Sequence, residues 1–352
     1  MRLETVPLGQ LCSVSNGKSD TKDAIEHGEY AFFDRSRTIK KSSRYLFDCE
    51  ALIIPGEGTE FLPRQFSGKF DLHQRAYALF DFSDLVGIRY LYYYLHHVRD
   101  YFPRVAVGAT VKSLRMRHFE QLPVVLMSVP EQHRIVTLLD EAFAGIATAK
   151  ANAEKCLRNS RELLAIQVSR ILSASGDGWA ERSLVEFCVV DWGNTSLTKS
   201  SYIEDGKYLA VSAAGCDGRI AHMEHSKHTP VLSAIGAQCG RMFFPDEDFT
   251  AIKNTITLTP REGICLGRFL FHLLNHVELP KRGAAQPFMA KGDIQAFRVL
   301  VPSRLDEQKI IAGQIDALEA EAMRLEALYT RKLASLDELK QSLLHQAFSG
   351  EL

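Results

Sequence analysis

The chain has 352 residues, 46% hydrophobic and 24% charged, which is enough apolar mass for two cores and too balanced for a disordered protein. Its 42 basic and 43 acidic side chains leave a formal net charge of −1, so no global field draws it to nucleic acid or membrane, and any such binding must come from local patches. Seven scattered cysteines without C-x-x-C spacing argue against a disulfide framework or zinc knuckle, and Met1-Arg2-Leu3-Glu4 begins no apolar signal region; both fit a cytoplasmic protein that does not enter the membrane.

Residues 1 to about 127 are short mixed segments punctuated by Gly, Pro and aromatics. Leu52-Ile53-Ile54-Pro55-Gly56 and Ala76-Tyr77-Ala78-Leu79-Phe80 read as strands, and Arg89 to Val98 as a helix, which makes an α+β globule. From Glu131 to about Leu172 there is no proline, and Ile135, Leu139, Ala142, Ile146, Ala149, Ala153, Cys156, Ser160 and Leu163 recur at alternating spacings of four and three. That is a heptad seam on one long helix, expected at about 131–174. Pro130 and Glu131 suit its start, and the stretch from Ser173 to Gly178 suits its stop.

The pattern then repeats. At a shift of 176 residues Leu8, Cys12 and Gly17 meet Leu184, Cys188 and Gly193; at 179, Arg89 to Val98 meets Arg268 to Val277; at 175–176, Gly108-Ala109 meets Gly283-Ala284 and Glu131-Gln132 meets Glu307-Gln308. A second seam, carried by Ile311, Ile315, Leu318, Ala322, Leu325, Tyr329, Leu336, Leu339, Leu343 and Ala347, predicts a helix at about 307–349. The expected organisation is therefore an internal pseudo-two-fold repeat. It has globular domains at 1–127 and 178–303, a central spacer helix within 128–177 and a C-terminal one within 304–352, the two helices pairing antiparallel through their seams. The alternative, two unrelated coiled-coil dimerisation helices, would bury the same residues against a second chain.

Catalytic signatures are missing. Asn16-Gly17-Lys18-Ser19 resembles the tail of a phosphate-binding loop, but Cys12 stands where the leading glycine is needed. No G-x-G-x-x-G is present, His222, His225 and His228 lack any H-E-x-x-H context, and Asp337-Glu338-Leu339-Lys340 lies on the heptad helix without a spaced partner Asp. No metal site, cofactor site or catalytic residue is expected on this chain.

What remains is basic. Arg35, Arg37, Lys40, Lys41 and Arg44 put five positive charges in ten residues, and Arg104, Thr110, Lys112 and Arg115 surround the Gly108 loop. With Lys18, Arg64 and Arg75 these are the candidate DNA contacts of the first copy; Lys199, Lys227, Lys253, Asn254, Lys281, Arg282, Gln286 and Lys291 are those of the second. Arg and Lys fork onto phosphates and guanine edges, and Asn and Gln onto adenine, so the composition suits double-stranded DNA. The packing candidates on the spacers are Ile135, Leu139, Ile146, Leu163, Ile315, Leu318, Leu325, Leu336 and Leu343.

The helix openings Glu131-Gln132-His133-Arg134-Ile135-Val136 and Glu307-Gln308-Lys309-Ile310-Ile311, and the run from Leu336 to Leu352, resemble the spacer regions of specificity subunits of type I restriction–modification systems. The resemblance implies two target recognition domains, each reading one part of a split DNA sequence, held apart by an antiparallel helix pair that acts as a ruler. It also implies two modification subunits that methylate adenine N6, and restriction subunits. S-adenosylmethionine, Mg and ATP then sit on those partners rather than here, in a bacterial or archaeal cytoplasm. A stand-alone DNA-binding protein without partner subunits and a coiled-coil protein adaptor are the alternatives.

Overall fold

The computed structural model describes residues 4–173 and 178–352. Two long helices dominate it, Val129–Leu172 with 44 residues and Leu305–Ser349 with 45, each about 66 Å long at 1.5 Å per residue. The chain divides into two compact units, Met1–Glu154 with Thr330–Leu352, and Lys155–Tyr329. Each unit thus holds one mixed α+β globule, the start of one long helix and the end of the other.

In the first unit a six-stranded sheet has the order Ser13–Asn16, Ala76–Phe80, Phe47–Pro55, Arg64–Leu72, Tyr30–Phe33, Lys40–Ser42. Strand side chains alternate between faces. Leu52, Ile54 and Leu79 therefore join a core with Tyr90, Leu91 and Tyr94 of helix Ile88–His97, while Ala51, Ile53 and Ala78 pack with Phe33 and Phe70 on the other side. Thr5–Pro7 pairs with Pro123–Val125 and closes the globule next to the long helix. The second unit repeats this as a four-stranded sheet around Thr255–Pro260, a three-stranded sheet around Tyr208–Ser212, the pair Trp179–Ser183 with Arg298–Pro302, and helix Gly267–Asn275.

The long helices run antiparallel inside each unit. Lys150 pairs with Asp337, and Arg134 donates to the Leu352 carbonyl at 2.8 Å, in the first; Arg161 pairs with Glu326 in the second. Leu344, Ala347 and Phe348 complete the first core beside Ile135 and Leu139, with the Phe348 ring 5.2 Å from those of Tyr90 and Tyr94. Val168, Ile311 and Ile315 do the same in the second. Ile146 is buried and Leu318, Leu325, Leu336 and Leu343 are half-buried along the pair.

The expected seam needs one correction. Leu163 is 57% exposed and Cys156 is exposed, because the buried face passes from Ala153 to Leu157, Ser160, Leu164 and Val168. A strict heptad pattern drifts about 20° per seven residues against a straight helix of 3.6 residues per turn, and the four-residue step at Ala153 restores the phase. Among the described residues no helix is long and apolar enough to cross a membrane, and all seven cysteines are free.

One buried side chain joins each globule to its long helix. Gln132 Oε1 accepts the Gly87 amide at 2.9 Å, and its Nε2 donates to the carbonyls of Leu85 and Met127 at 2.8 and 2.9 Å. Gln308 repeats the set: it accepts from Leu266 at 2.9 Å and donates to Ile264 and Pro302 at 2.9 and 3.1 Å. Gly87 and Leu266 immediately precede the helices Ile88–His97 and Gly267–Asn275, whose first amides have no intrahelical partner. Gln132→Ala orphans these backbone groups and is expected to cost about 2–4 kcal/mol in denaturant unfolding. Leu139→Asp, which buries a charge, is expected to cost several kcal/mol, whereas Leu163→Asp stays within about 0.5 kcal/mol of the parent in the same experiment.

Candidate nucleic-acid interface

The Gly108 loop is a tight hairpin whose ends close through Val107 and Ser113, with amide-to-carbonyl distances of 3.0 and 2.8 Å. Its counterpart closes through Arg282 and Phe288 at 2.8 and 2.9 Å. Both turns need glycine: Gly108 and Gly283 have φ of +118° and +79°, and a Cβ at either would lie 2.2 or 2.7 Å from the carbonyl oxygen of Val111 or Gln286. This is the physical content of the repeated Gly-Ala.

Beside the first hairpin lies Glu57, only 8% exposed, whose carboxylate takes Arg35 at 2.9 Å on one oxygen and Arg75 at 2.5 Å on the other. The Gly58 amide donates to the Lys112 carbonyl at 3.1 Å, which fixes the hairpin against the Glu57 turn. A cleft results, lined by Asn16, Gln74, Arg75, Val111, Ser113 and Arg115. Arg35 and Arg75 are thereby brought together on one buried acid, Arg115 lines the same cleft, and Thr110 and Lys112 lie on the adjoining hairpin. Glu57 itself, Asn16 and Gln74 were not expected from the sequence; a lone acid in a basic neighbourhood was the only available sign.

The other basic residues divide by what they already hold. Lys40 pairs with Asp34 at 2.6 Å, Arg37 with Glu60, and Arg44 with Asp23 at 3.1 Å and Asp71 at 3.5 Å. Arg64 is committed to the backbone: it donates to the carbonyls of Ser36, Asp34 and Arg37 at 3.0, 3.2 and 3.4 Å, with its guanidinium 5.0 Å from the Phe33 ring. It therefore shapes the 34–37 loop rather than offering a free charge. Lys18, Lys41, Arg104, Lys112 and Arg115 are exposed and make no ion pair among the described residues.

In the second unit Arg282 grips Asp293 through two nitrogens at 2.6 Å, Lys291 holds Asp191 at 2.6 Å, and Lys199 holds Asp217 at 2.5 Å. Lys227, Lys253, Lys281 and Gln286 are exposed, the three lysines without an ion pair among the described residues. Asn254 is half-buried with φ of +73°, and its carbonyl accepts the Ala234 amide at 3.0 Å. By the matching hydrogen bonds Gly56 to Arg75 and Ala234 to Asn254, and Gly58 to Lys112 and Gly236 to Pro287, Arg75 corresponds to Asn254 and Glu57 to Ile235. The two copies share a scaffold and differ where the cleft is most polar.

Two histidines of the 222–228 segment lie against aromatic rings. The His225 ring packs 5.1 Å from Phe249, and the His228 ring stacks 5.4 Å from Phe244. Burial pushes the thiols of Cys12, Cys188 and Cys265 up to about 12, so they are neutral core groups rather than nucleophiles.

The family model of the type I restriction modification DNA specificity domain matches residues 2–155 and again residues 176–333. The chain belongs to this family. Its two specificity domains coincide with the two halves of the internal repeat, and such a domain serves recognition rather than catalysis. The chain is 30% identical over 152 residues to the EcoDI specificity subunit of the type I restriction enzyme of Escherichia coli, a match covering 43% of this chain and 34% of that protein. It thus spans about a third of that relative's length. The fold is similar, at 15% identity and a TM-score of 0.80, to a chain from a structure described as underlying complex assembly and conformational transition of the type I R-M system, with 99% and 98% of the two chains covered. It is similar at a TM-score of 0.62, again with 15% identity, to the HsdS subunit from Thermoanaerobacter tengcongensis, with 99% and 97% covered.

Arg64→Ala removes three backbone hydrogen bonds and a ring contact, so it is expected to lower the thermal midpoint measurably. Arg37→Ala, at an 87% exposed position, is expected to leave stability within about 0.5 kcal/mol of the parent, as calorimetry of both variants would test.

Proposed function

We propose that this chain is the DNA-reading subunit of a type I restriction–modification complex. It recognises a target in two blocks, one per specificity domain, and directs adenine-N6 methylation or restriction by partner subunits. In this reading residues 1–127 and 178–303 are the target recognition domains, and 128–177 and 304–352 are spacers that keep the gap between the blocks constant. Two modification subunits carry S-adenosylmethionine and the restriction subunits carry ATP and Mg, all in a prokaryotic cytoplasm.

The observation that carries the proposal is the divergence of equivalent hairpin-side positions on one scaffold. Arg75 and Glu57 in the first copy stand where the second has Asn254 and Ile235. Arginine forks onto guanine and asparagine onto adenine, so the copies are suited to different base sequences. The exposed cations Lys112 and Arg115 beside one cleft, and Lys281 beside the other hairpin, supply phosphate contacts that position each reader. Because many other cations are neutralised within the chain, partner subunits contribute the rest of the electrostatic attraction.

The test is co-production with a type I modification subunit encoded beside it, in a methylation-free host, followed by genome-wide mapping of N6-methyladenine. A split motif with a constant unspecified gap is expected. Lys112→Glu with Arg115→Glu should abolish methylation while the complex still co-purifies, and Arg75→Asn should alter one block and spare the other. A stable complex with no methylation, or methylation unchanged in the charge-reversed variant, would overturn the assignment; absence of any complex would favour an adaptor.

A further inference from the structure

The second unit contains a cluster that the recognition role does not use. His272 lies in the last turn of helix Gly267–Asn275, fully buried, and His276 lies one turn on at the helix end. Across from them, on the long helix Leu305–Ser349, stands Glu319. Glu319 Oε1 is 3.7 Å from His272 Nδ1 and 3.7 Å from His276 Nε2, and the three candidate ligand atoms all lie within 4.8 Å of one another.

Two features distinguish this group from a chance meeting of polar side chains. First, His272 Nδ1 is buried without a hydrogen-bond partner among the described residues, an arrangement that folded proteins rarely leave unexplained. At 3.7 Å the contact with Glu319 is too long for a hydrogen bond. It is close to the separation of about 3.4 Å between two ligands that each sit about 2.1 Å from a tetrahedral zinc ion. Second, the other ring nitrogen is already oriented. His272 Nε2 lies 2.8 Å from Asp316 Oδ1, and Arg268 Nε donates to the same oxygen at 2.8 Å. With the arginine keeping Asp316 an acceptor, the proton of a neutral imidazole belongs on Nε2, and the Nδ1 lone pair faces Glu319. A carboxylate behind a ligating histidine is the usual support of a metal site.

The first copy shows what the scaffold holds without these ligands. At the positions of His272, His276 and Glu319 it has Tyr93, His97 and Phe143, and the Tyr93 and Phe143 rings pack 5.3 Å apart while the Tyr93 hydroxyl meets Asp140. Aromatic packing joins helix to long helix there; in the second copy the same place carries two imidazoles and a carboxylate.

We propose that His272 Nδ1, His276 Nε2 and Glu319 bind a zinc-class divalent transition ion, with water in the fourth position, that clips helix Gly267–Asn275 to the long helix. Two imidazoles and one carboxylate suit zinc and its neighbours rather than calcium or magnesium, which prefer all-oxygen sites.

The untagged full-length chain, stripped with chelator, is titrated with Zn(II) by calorimetry and with Co(II) by visible absorption. One equivalent should bind, with the intense ligand-field spectrum of a four-coordinate cobalt site, and zinc should raise the thermal midpoint. His276→Ala and Glu319→Gln alter half-exposed ligands without opening the core, so each should fold, weaken zinc about tenfold or more, and lose the zinc-dependent stabilisation. Asp316→Asn, which only orients the imidazole, should weaken binding by about 10- to 100-fold while keeping the stoichiometry. The double variant His222→Ala, His228→Ala should bind as the parent does. Failure of the parent chain to bind zinc, or unchanged binding by both His276→Ala and Glu319→Gln, would overturn the proposal. Neither result depends on DNA recognition.

Discussion

A buried glutamine amide at the head of each long helix sets the geometry on which the rest depends. Gln132 and Gln308 spend both amide hydrogens and the carbonyl oxygen on backbone groups of the neighbouring globule. An amide is the one uncharged side-chain group with two donors and an acceptor in a plane, so neither Glu nor Leu could replace it without leaving buried groups unpaired. A second link lies one or two turns on, where Arg89 meets Asp140 at 2.6 Å and Arg268 meets Asp316. Those pairs are partly solvated and contribute less to stability. Together the two links tie each globule to the first turns of its long helix.

The cleft of the first unit is electrostatically self-contained. Arg35 and Arg75 share Glu57, so the buried acid is compensated from both sides and the two guanidiniums are held in place before any ligand arrives. Ordering side chains in advance lowers the entropy cost of binding. Exposed cations such as Lys112 and Arg115 remain available for long-range attraction. A near-neutral chain can in this way present a positive local face. In the second unit Arg282 and Lys291 are likewise anchored by acids, but Ile235 and Asn254 stand at the positions of Glu57 and Arg75. The repeat has kept its backbone hydrogen bonds and exchanged its side-chain chemistry. The same holds where Tyr93 and Phe143 correspond to His272 and Glu319.

Much of the architecture was legible in the sequence because it rests on local, periodic rules. The heptad spacing announced two long helices, the half-length repeat announced two similar globules, and the Gly-Ala pairs marked turns that require positive φ. The candidate site was legible only as composition. Arg64 and Lys112 look alike as basic residues near loops, yet one is bound to three carbonyls and the other is exposed. Leu163 fits the heptad as well as Leu139 does, yet it faces out because phase error accumulates along a straight helix.

By itself the sequence determined the α+β repeat, the extent of the helices and the absence of any recognisable catalytic motif, since these follow from backbone geometry acting over neighbouring residues. The tertiary structure alone decided which cations are free, which acid centres the cleft and which histidines are left with an unpaired buried nitrogen. Those outcomes depend on partners far apart along the chain, as with Arg35 and Glu57 or His272 and Glu319. No local pattern encodes such meetings; they arise when sheets and helices fold those residues into contact.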